Sequence, residues 1–362
     1  MSTLIRKSVQ ELQAYTPGEQ PKVAGLIKLN TNENPYPPSP AVARALAEYG
    51  VDALRLYPDP VCEALRARIA AICGCAVDQV FVGNGSDEVL RLCTRAFTQD
   101  GGAVASFDPS YSLYPVLAAE EQVGFRRVPL AEGFGWTEPP ADLDASLFFL
   151  ANPNAPTGVF YPEKTIAAFC RRFAGVVVVD EAYVDFSGGR NGLELARSLP
   201  NVLVCRTLSK SFSLAGLRLG YAVGSPELTG ALYKLKDSYN VYRLAQAVSL
   251  AALGDLPWMQ ANAARIVATR KRVAGELEKR GFRVVPSAAN FLFVAPPAGI
   301  SAADLFADLR AKNILVRYFP GGRTGNHLRV SVGTDAQMDA FLAALAGEGA
   351  EAPFQQDNGG GR

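Results

Sequence analysis

The sequence has no apolar run of membrane length, only one histidine and almost no net charge. Each of these features argues against a class of protein. The run Val176–Val179 is far too short to cross a bilayer and instead predicts a buried strand. His327 is the only histidine, and Cys73-Gly74-Cys75 has no second cysteine pair, so we expect no metal site. With a formal net charge of +1, no global field favours nucleic acid or an anionic membrane. Anion recognition must then come from individually placed Arg and Lys.

The cysteines and the first residues indicate a reducing compartment. Most of the six cysteines lie in helical or strand patterns, as small apolar core residues do. Residues 1–13 carry Arg6, Lys7 and Glu11 with no apolar core after them, so we expect no signal peptide. A cytoplasmic location therefore fits best.

The order of strand and helix signals predicts an α/β fold. From 79 to 223, short apolar strands, among them 147–151, 176–180 and 202–207, alternate with amphipathic helices, which favours a mostly parallel sheet with helices on both faces. After Tyr239, a long helical periodicity (245–280) is followed by short strands, one of them over 314–318, and by helices, which indicates a smaller α+β domain. We predict an N-terminal arm (1–40), a large domain (41–240), a small domain (241–350) and a disordered tail (351–362). Within the arm, residues 17–40 are rich in Pro, Asn and Gly, which predicts an extended rather than a packed segment.

Polar residues follow several apolar runs: Asn152-Pro153, Asp180-Glu181-Ala182-Tyr183 and Ser209-Lys210, with Arg218 one short loop further on. Each matches a need of one cofactor, pyridoxal phosphate (PLP). This cofactor requires an amine that holds its aldehyde as a Schiff base, and an anion beside its ring nitrogen. It also requires donors for its ring oxygen and a cradle for its phosphate. The chain supplies candidates for all four in one order along the sequence.

Lys210 is the candidate amine. It follows the apolar strand Val202–Cys205 in a turn rich in Ser and Thr, where the backbone can bind an anion. Once substrate displaces it from PLP, the amine could move a proton between Cα and the cofactor as base and acid. The alternative is a solvated lysine, since most lysines are exposed.

Asp180, Tyr183 and Asn152 are the candidates for the cofactor ring. Asp180 ends a strand, where parallel sheets bind ligands, and could pair with the protonated ring nitrogen; its alternatives are a salt-bridge partner or a helix N-cap. Tyr183 lies three residues on and could meet the ring oxygen, or be a half-buried aromatic. Asn152 ends the strand Leu147–Ala151 and could donate to the same oxygen.

The phosphate cradle is predicted between a strand and a helix. Glycines allow close backbone approach and a helix N-terminus offers free N–H groups, although an ordinary N-cap would look the same. Tyr111, in a loop after a strand, could stack on the pyridine ring or belong to the core. The candidate cradle residues are Gly85, Ser86, Asp87, Thr207, Ser209 and Arg218.

Arginines near the end of the chain are candidates for the substrate anion. Arg329, on the strand Leu328–Val332, has the planar fork that suits a carboxylate or phosphate. Arg317 is a similar candidate and Arg323 a weaker one. A surface ion pair is the alternative for each.

The order of these motifs resembles that of fold-type I PLP enzymes of the class I and II aminotransferase group. Within that group the chain resembles the histidinol-phosphate aminotransferases over nearly its whole length apart from the tail. The motifs that carry the first resemblance are Asn152-Pro153, Asp180-Glu181-Ala182-Tyr183, Ser209-Lys210 and Arg218. Those that carry the second are Leu29-Asn30-Thr31-Asn32-Glu33-Asn34-Pro35, Leu56-Tyr57-Pro58-Asp59, Gly83-Asn84-Gly85-Ser86-Asp87-Glu88, Tyr239-Asn240-Val241 and Leu328-Arg329-Val330.

The resemblance implies amino-group transfer between L-histidinol phosphate and 2-oxoglutarate in L-histidine biosynthesis, giving imidazole-acetol phosphate and L-glutamate. It implies a homodimer in which Tyr57 reaches the PLP phosphate of the partner subunit. It also implies an N-terminal arm that closes over the substrate, with Tyr15 and Asn34 as substrate contacts. Tyr242 departs from the pattern, because a small polar residue is expected after the Asn-Val pair.

Other functions remain open from the sequence. An aromatic amino acid aminotransferase or a threonine-phosphate decarboxylase would share the PLP motifs. A PLP-binding regulator would need a DNA-binding module, and no segment is basic and helix-turn-helix-like. A nicotinamide-binding protein would need the Gly-rich dinucleotide fingerprint, from which Gly83-Asn84-Gly85 departs.

Overall fold

The structure, a computed structural model, describes residues 4–346. The predicted tail 351–362 lies outside these residues. The helices are α1 Lys7–Glu11, α2 Pro40–Ala47, α3 Glu63–Cys73, α4 Ser86–Phe97, α5 Tyr114–Glu120, α6 Glu163–Arg172, α7 Leu193–Ser198, α8 Pro226–Leu235, α9 Arg243–Gly254, α10 Leu256–Lys279, α11 Ala302–Ala311 and α12 Asp335–Leu345. The strands are β1 Ile27–Lys28, β2 Val80–Gly83, β3 Ala103–Asp108, β4 Gly124–Pro129, β5 Leu147–Ala151, β6 Val176–Asp180, β7 Val202–Thr207, β8 Gly220–Val223, β9 Arg283–Val285, β10 Phe291–Ala295, β11 Ile314–Leu315, β12 Arg317–Tyr318 and β13 Leu328–Ser331.

A seven-stranded sheet with the order β2-β8-β7-β6-β5-β3-β4 forms the larger layer. The pairs from β7 to β4 are parallel, and β8 is antiparallel to both β7 and β2. The mostly parallel α/β sheet expected from the alternation of signals is thereby confirmed. Because the carboxyl ends of parallel strands meet at one edge, Asp108, Ala151, Asp180 and Thr207 end their strands on the same side of the sheet.

Both faces of this sheet are covered by helices, which explains the uninterrupted apolar strands. Val177 and Val179 pack with α2, α3, α6, α7 and α9, whereas Val178 packs with α4, α5 and α8. A strand buried on both faces carries apolar side chains at every position rather than at alternate ones.

The second layer is a four-stranded antiparallel sheet with the order β12-β13-β10-β9. It packs against α10, α11 and α12 around residues such as Leu292, Val330 and Phe341. The domain boundary at 240/241 stays a prediction, and the structure adds that α9 packs against α2 and α3 of the first layer. No helix within residues 4–346 is long and apolar enough to cross a membrane.

Three local expectations were wrong. The segment 17–40 is not unpacked, because β1 pairs with β11 and Leu29 is buried against the second layer. The run 314–318, expected to be one strand, is divided between two sheets as β11 and β12. Helices α1, α7 and α8 were not predicted.

Candidate active site

A cavity of about 630 Å³ lies at the carboxyl ends of β3, β5, β6 and β7. Twelve of the residues singled out from the sequence line it: Tyr15, Ser86, Asp87, Tyr111, Asp180, Tyr183, Thr207, Ser209, Lys210, Arg218, Arg317 and Arg329. They come from the N-terminal segment, the large sheet and the second layer. The cavity is therefore built only when all three parts of the chain pack together.

Lys210 is half-buried in this cavity, on the loop that follows β7. Its Nζ lies 3.4 Å from the carbonyl oxygen of Thr31 and 5.8 Å from the centre of the Tyr183 ring. The loop is held from behind by Asn34, whose Nδ2 donates to the carbonyls of Lys210 and Ser211, each at 3.1 Å. Asn34 is not among the lining residues, so its predicted substrate contact stays a prediction.

Asp180 is a buried carboxylate, only 5% exposed, with neutral partners among the described residues. The Tyr114 hydroxyl donates to its Oδ2 at 2.8 Å, and the backbone N–H of Ala182 to its Oδ1 at 3.2 Å. Desolvation by burial raises the pKa of Asp180 to about 6 and outweighs both hydrogen bonds. A cationic group in the cavity would stabilise the carboxylate, and a protonated pyridine nitrogen is such a group.

The N-terminus of α4 and the turn after β7 meet at the candidate phosphate cradle. Gly85 has φ of 82°, and a Cβ there would lie 2.6 Å from Nη2 of Arg218. Across from it, a Cβ on Gly220 would collide with the backbone nitrogen of Ser86. Both positions require glycine for this close approach, which presents the free N–H groups at the start of α4 beside the Arg218 guanidinium.

Arg218 carries a partner that the sequence did not suggest. Its Nη2 forms an ion pair with Oδ2 of Asp87 at 3.0 Å, and the Tyr111 hydroxyl donates to the other carboxylate oxygen at 3.3 Å. In the turn after β7, the Thr207 hydroxyl donates to Ser209 Oγ at 2.9 Å. That Arg218 forms two hydrogen bonds with a phosphate stays a prediction. In the structure its Nη2 is already paired with Asp87.

Arg329 is a cation without an acidic partner among the described residues. Its Nη2 donates to the carbonyl of Asn30 at 2.9 Å, while its buried Nε has no hydrogen-bond partner. The guanidinium lies 5.4 and 5.3 Å from the ring centres of Phe291 and Phe319, and desolvation lowers its pKa. A carboxylate or phosphate in the cavity would satisfy both the charge and the free N–H.

The other predicted substrate residues lie around the cavity mouth. Arg317 donates to the carbonyls of Thr16 and Pro17, at 3.1 and 3.2 Å, and so holds the N-terminal segment. Tyr15 contacts Tyr111 edge to face, with ring centres 6.0 Å apart. The weaker candidate Arg323 does not line the cavity and donates to the carbonyls of Leu130 and Ala131.

Three predicted cofactor contacts are not among the residues that line the cavity of this chain. Gly85 lies beside Arg218 at the cradle, and the other two lie elsewhere. Asn152 is 2% exposed, and its side-chain amide bonds the backbone of Tyr161 through both its oxygen and its nitrogen. Tyr57 is 75% exposed and stacks on Tyr239 with ring centres 4.4 Å apart. Their contacts with a cofactor stay predictions.

Sequence reasoning missed the roles of Tyr114 and of residues 30–32. Tyr114 looked like an ordinary helix residue, yet it is the hydroxyl partner of Asp180. Residues 30–32 belong to the motif Leu29–Pro35 that carries the family resemblance. Their position in the sequence did not indicate that they contact Arg329, Lys210 and Tyr183. Within residues 4–346, no group of three or more His, Cys, Asp or Glu side chains could hold a metal ion.

Comparisons with known proteins agree with this geometry. The family model described as aminotransferase class I and II matches residues 24–345. The chain is 47% identical over 348 residues to histidinol-phosphate aminotransferase 1 of Burkholderia pseudomallei (strain K96243), covering 93% of this chain and 96% of that protein. It is 44% identical over 342 residues to histidinol-phosphate aminotransferase of Geobacter sp. (strain M21), covering 94% and 97%.

A solved structure shares the fold. Histidinol-phosphate aminotransferase from Sinorhizobium meliloti, in complex with pyridoxal-5'-phosphate, superposes with a TM-score of 0.84 at 24% identity, covering 96% of this chain and 97% of that one. At this identity the likeness concerns the fold, and it extends over both layers.

Proposed function

The chain belongs to the class I and II aminotransferase family, and we propose that it transfers an amino group between L-histidinol phosphate and 2-oxoglutarate with pyridoxal phosphate as its cofactor. The observation that carries this proposal is a set of three groups in one cavity. Within the described part of the chain, Asp180 is an anion that lacks a cation, Arg329 is a cation that lacks an anion, and Lys210 is a half-buried amine. Cofactor and substrate together supply the missing charges.

The residues present fit this cofactor. Lys210 would hold its aldehyde, Asp180 its ring nitrogen and Tyr183 its ring oxygen. The N-terminus of α4, Ser209 and Arg218 would hold its phosphate. When bound, pyridoxal phosphate supplies an electron sink for the bond at the substrate Cα.

The protein's own groups then govern proton movement. The Lys210 amine lies on the cavity wall, where it donates to the Thr31 carbonyl. It would take the proton from the substrate Cα and return it on the cofactor side. Asp180 keeps the ring nitrogen protonated, because a buried carboxylate stabilises an adjacent cation. The second half of the reaction would reverse the proton transfer by Lys210, while Asp180 would keep the same role.

Arg329 would recognise the anion of both substrates. L-Histidinol phosphate carries a phosphate and no α-carboxylate, whereas glutamate carries carboxylates, so one site must accept either anion. The planar guanidinium forms two parallel hydrogen bonds with each of them. Arg317, also on the cavity wall, adds a second positive charge that suits the doubly charged phosphate.

A half-reaction tests the substrate. Protein loaded with pyridoxal phosphate is mixed with L-histidinol phosphate, L-histidinol or L-phenylalanine in the absence of keto acid, and the cofactor absorbance is followed. We expect rapid loss with L-histidinol phosphate and much slower loss with L-histidinol, which differs only in lacking the phosphate. Preferential reaction with L-phenylalanine would instead indicate an aromatic amino acid aminotransferase. A protein that gains no absorbance with the cofactor would contradict the proposal.

We further propose that the enzyme is a homodimer. Exposed apolar side chains are concentrated near α2, α3 and α9, and include Leu54, Leu56, Tyr57, Tyr239 and Tyr242. A cluster of exposed apolar and aromatic side chains is typical of a surface that another subunit covers. We expect sedimentation equilibrium to give twice the chain mass of 38.6 kDa; a monomer at micromolar concentration would contradict the dimer.

We also propose a cytoplasmic location. All six cysteines are free thiols, which suits a reducing compartment.

A further inference from the structure

Three successive residues of the N-terminal segment each contact a side chain of the site. The carbonyl of Asn30 accepts from Arg329 at 2.9 Å, and the carbonyl of Thr31 from Lys210 at 3.4 Å. The third contact is between side chains, because Nδ2 of Asn32 donates to the Tyr183 hydroxyl at 3.0 Å. Asn32 is 1% exposed, so this contact is shielded from water.

The orientation of the Asn32 amide is set by Ser331 on β13. The backbone N–H of Asn32 donates to Ser331 Oγ at 2.8 Å, and the Ser331 hydroxyl donates to Oδ1 of Asn32 at 2.9 Å. A serine hydroxyl has one proton, and here Oδ1 receives it. The amide oxygen therefore faces Ser331, and the amide nitrogen must face Tyr183.

The carbonyl of Asn32 is held as well, by Nδ2 of Asn290 at 3.0 Å. The Tyr183 ring packs edge to face against Phe291, with ring centres 5.1 Å apart. Both ends of the Asn32–Tyr183 hydrogen bond are thus immobilised by neighbouring residues of the second layer.

We propose that Asn32 is a positioning residue that fixes Tyr183 as a hydrogen-bond donor into the cavity, toward the ring oxygen of the cofactor. This inference rests on the proposed function. The phenol oxygen accepts from Asn32, so its single proton is left to point elsewhere, and Tyr183 lines the cavity. Without the amide, the phenol could turn its proton away from the ring oxygen.

The backbone conformation at position 32 limits which residues can donate to Tyr183 from there. Asn32 has φ of 56°, in the left-handed region that Gly, Asn and Asp tolerate best. Glycine has no side chain, and an ionised aspartate would accept the phenol proton and reverse the hydrogen bond. Of the three, only asparagine supplies a neutral donor at this position.

The test is a pH titration of the cofactor absorbance in the loaded protein. A hydrogen bond to the ring oxygen is strongest when the neighbouring Schiff-base nitrogen has lost its proton, because the oxygen then bears the uncompensated negative charge. Losing that donor should therefore raise the pKa of the chromophore. We expect Asn32→Gly, which keeps the backbone conformation, to raise it by about one unit, the size of one hydrogen bond to a charged group.

Two further variants separate positioning from general damage. Tyr183→Phe should raise the chromophore pKa by a similar amount, and Asn32→Gly added to Tyr183→Phe should raise it no further. The matched control is Asn313→Gly, because Asn313 has φ of 58° but is exposed and does not line the cavity. It should leave the titration unchanged.

The outcomes are distinguishable. An unshifted titration in Asn32→Gly, with a shifted one in Tyr183→Phe, would overturn this inference alone, as would an additional shift in the double variant. A wild-type protein that takes up no cofactor would overturn the proposed function and this inference with it. If Asn32→Gly does not fold, Ser331→Ala replaces it, because it removes the hydrogen bond that orients the Asn32 amide. Ser331→Ala should also raise the chromophore pKa, and an unchanged pKa in this variant would overturn the inference.

Discussion

Replacing Lys210 by alanine is expected to abolish multiple turnover while leaving the fold intact. Lys210 is the one lysine among the described residues that line the cavity, so no other amine can hold the cofactor or carry the Cα proton. General acid–base catalysis alone accounts for about 10²–10⁴-fold in rate, and the covalent attachment is lost in addition. We expect a steady-state rate at least about 10³-fold below wild type.

The control for this variant is Lys234→Ala. Lys234 is exposed on α8, away from the cavity, and its loss should leave the rate unchanged. Circular dichroism should show the same secondary structure in all three proteins. Sustained turnover in Lys210→Ala at more than about a tenth of the wild-type rate would contradict the assignment of the amine, because even the smallest effect expected of a general base is larger.

Asp180→Asn is expected to slow catalysis by about 10²–10³-fold while retaining bound cofactor. A neutral amide does not stabilise the protonated ring nitrogen as a carboxylate does. Removal of one well-placed electrostatic partner from an active site typically lowers the rate by about 10²–10³-fold. The groups proposed to bind the phosphate, Ser209 and Arg218, are untouched. Single-turnover kinetics with L-histidinol phosphate measure the proton-transfer step directly, and an unchanged rate would contradict the role of Asp180.

The same variant should be more stable than wild type when no cofactor is bound. Burial raises the pKa of Asp180 from 3.8 to about 6, so the folded protein binds this proton more tightly than the unfolded chain does. The carboxylate is therefore protonated at no cost below about pH 4 and costs stability as the pH rises through about 6. We expect Asp180→Asn to gain about 2–3 kcal/mol in free energy of unfolding at pH 8 and only a small part of that at pH 4.

Urea denaturation of the cofactor-free proteins at these two pH values checks the sign. Asp142→Asn is the matched control, because Asp142 is exposed, and it should change stability at neither pH. Equal stability of Asp180→Asn and wild type at pH 8 would show that burial of this carboxylate costs nothing. A slower enzyme with a more stable cofactor-free fold would show that Asp180 is retained for chemistry.

Predictions from the sequence succeeded where structure depends on residues close together in the chain. The bounds of β5, β6 and β7 match those expected, because strands buried on both faces are apolar runs with a polar residue at their end or directly after it. The polar residues that follow them, Asp180 and Lys210 among them, were found by the same signal. The resemblance of the motifs then predicted the family, and the matching family model confirmed it.

Predictions failed or stopped where partners lie far apart in the chain. The Pro, Asn and Gly content of 17–40 predicted an unpacked segment, yet Asn32 bonds to Ser331, 299 positions away. The predicted substrate contacts of Asn34 and Arg317 stay predictions. The structure adds that these side chains donate to backbone carbonyls of the lysine loop and of the N-terminal segment, which the sequence did not indicate. No local pattern records such pairs, because the side chain that completes each one comes from another layer.

The sequence by itself therefore determined which chemical groups are present and in what order they end their strands. Alternation and apolar runs are local, and each strand end presents its next polar residue to the same edge of the sheet. Only the tertiary structure decided which of these groups are left without a partner. Among residues 4–346, packing leaves the buried Asp180 carboxylate without a cation and the Arg329 guanidinium without an anion, and it directs the Asn32 amide to the Tyr183 hydroxyl. Burial beside neutral groups makes the two unmatched charges available to a ligand.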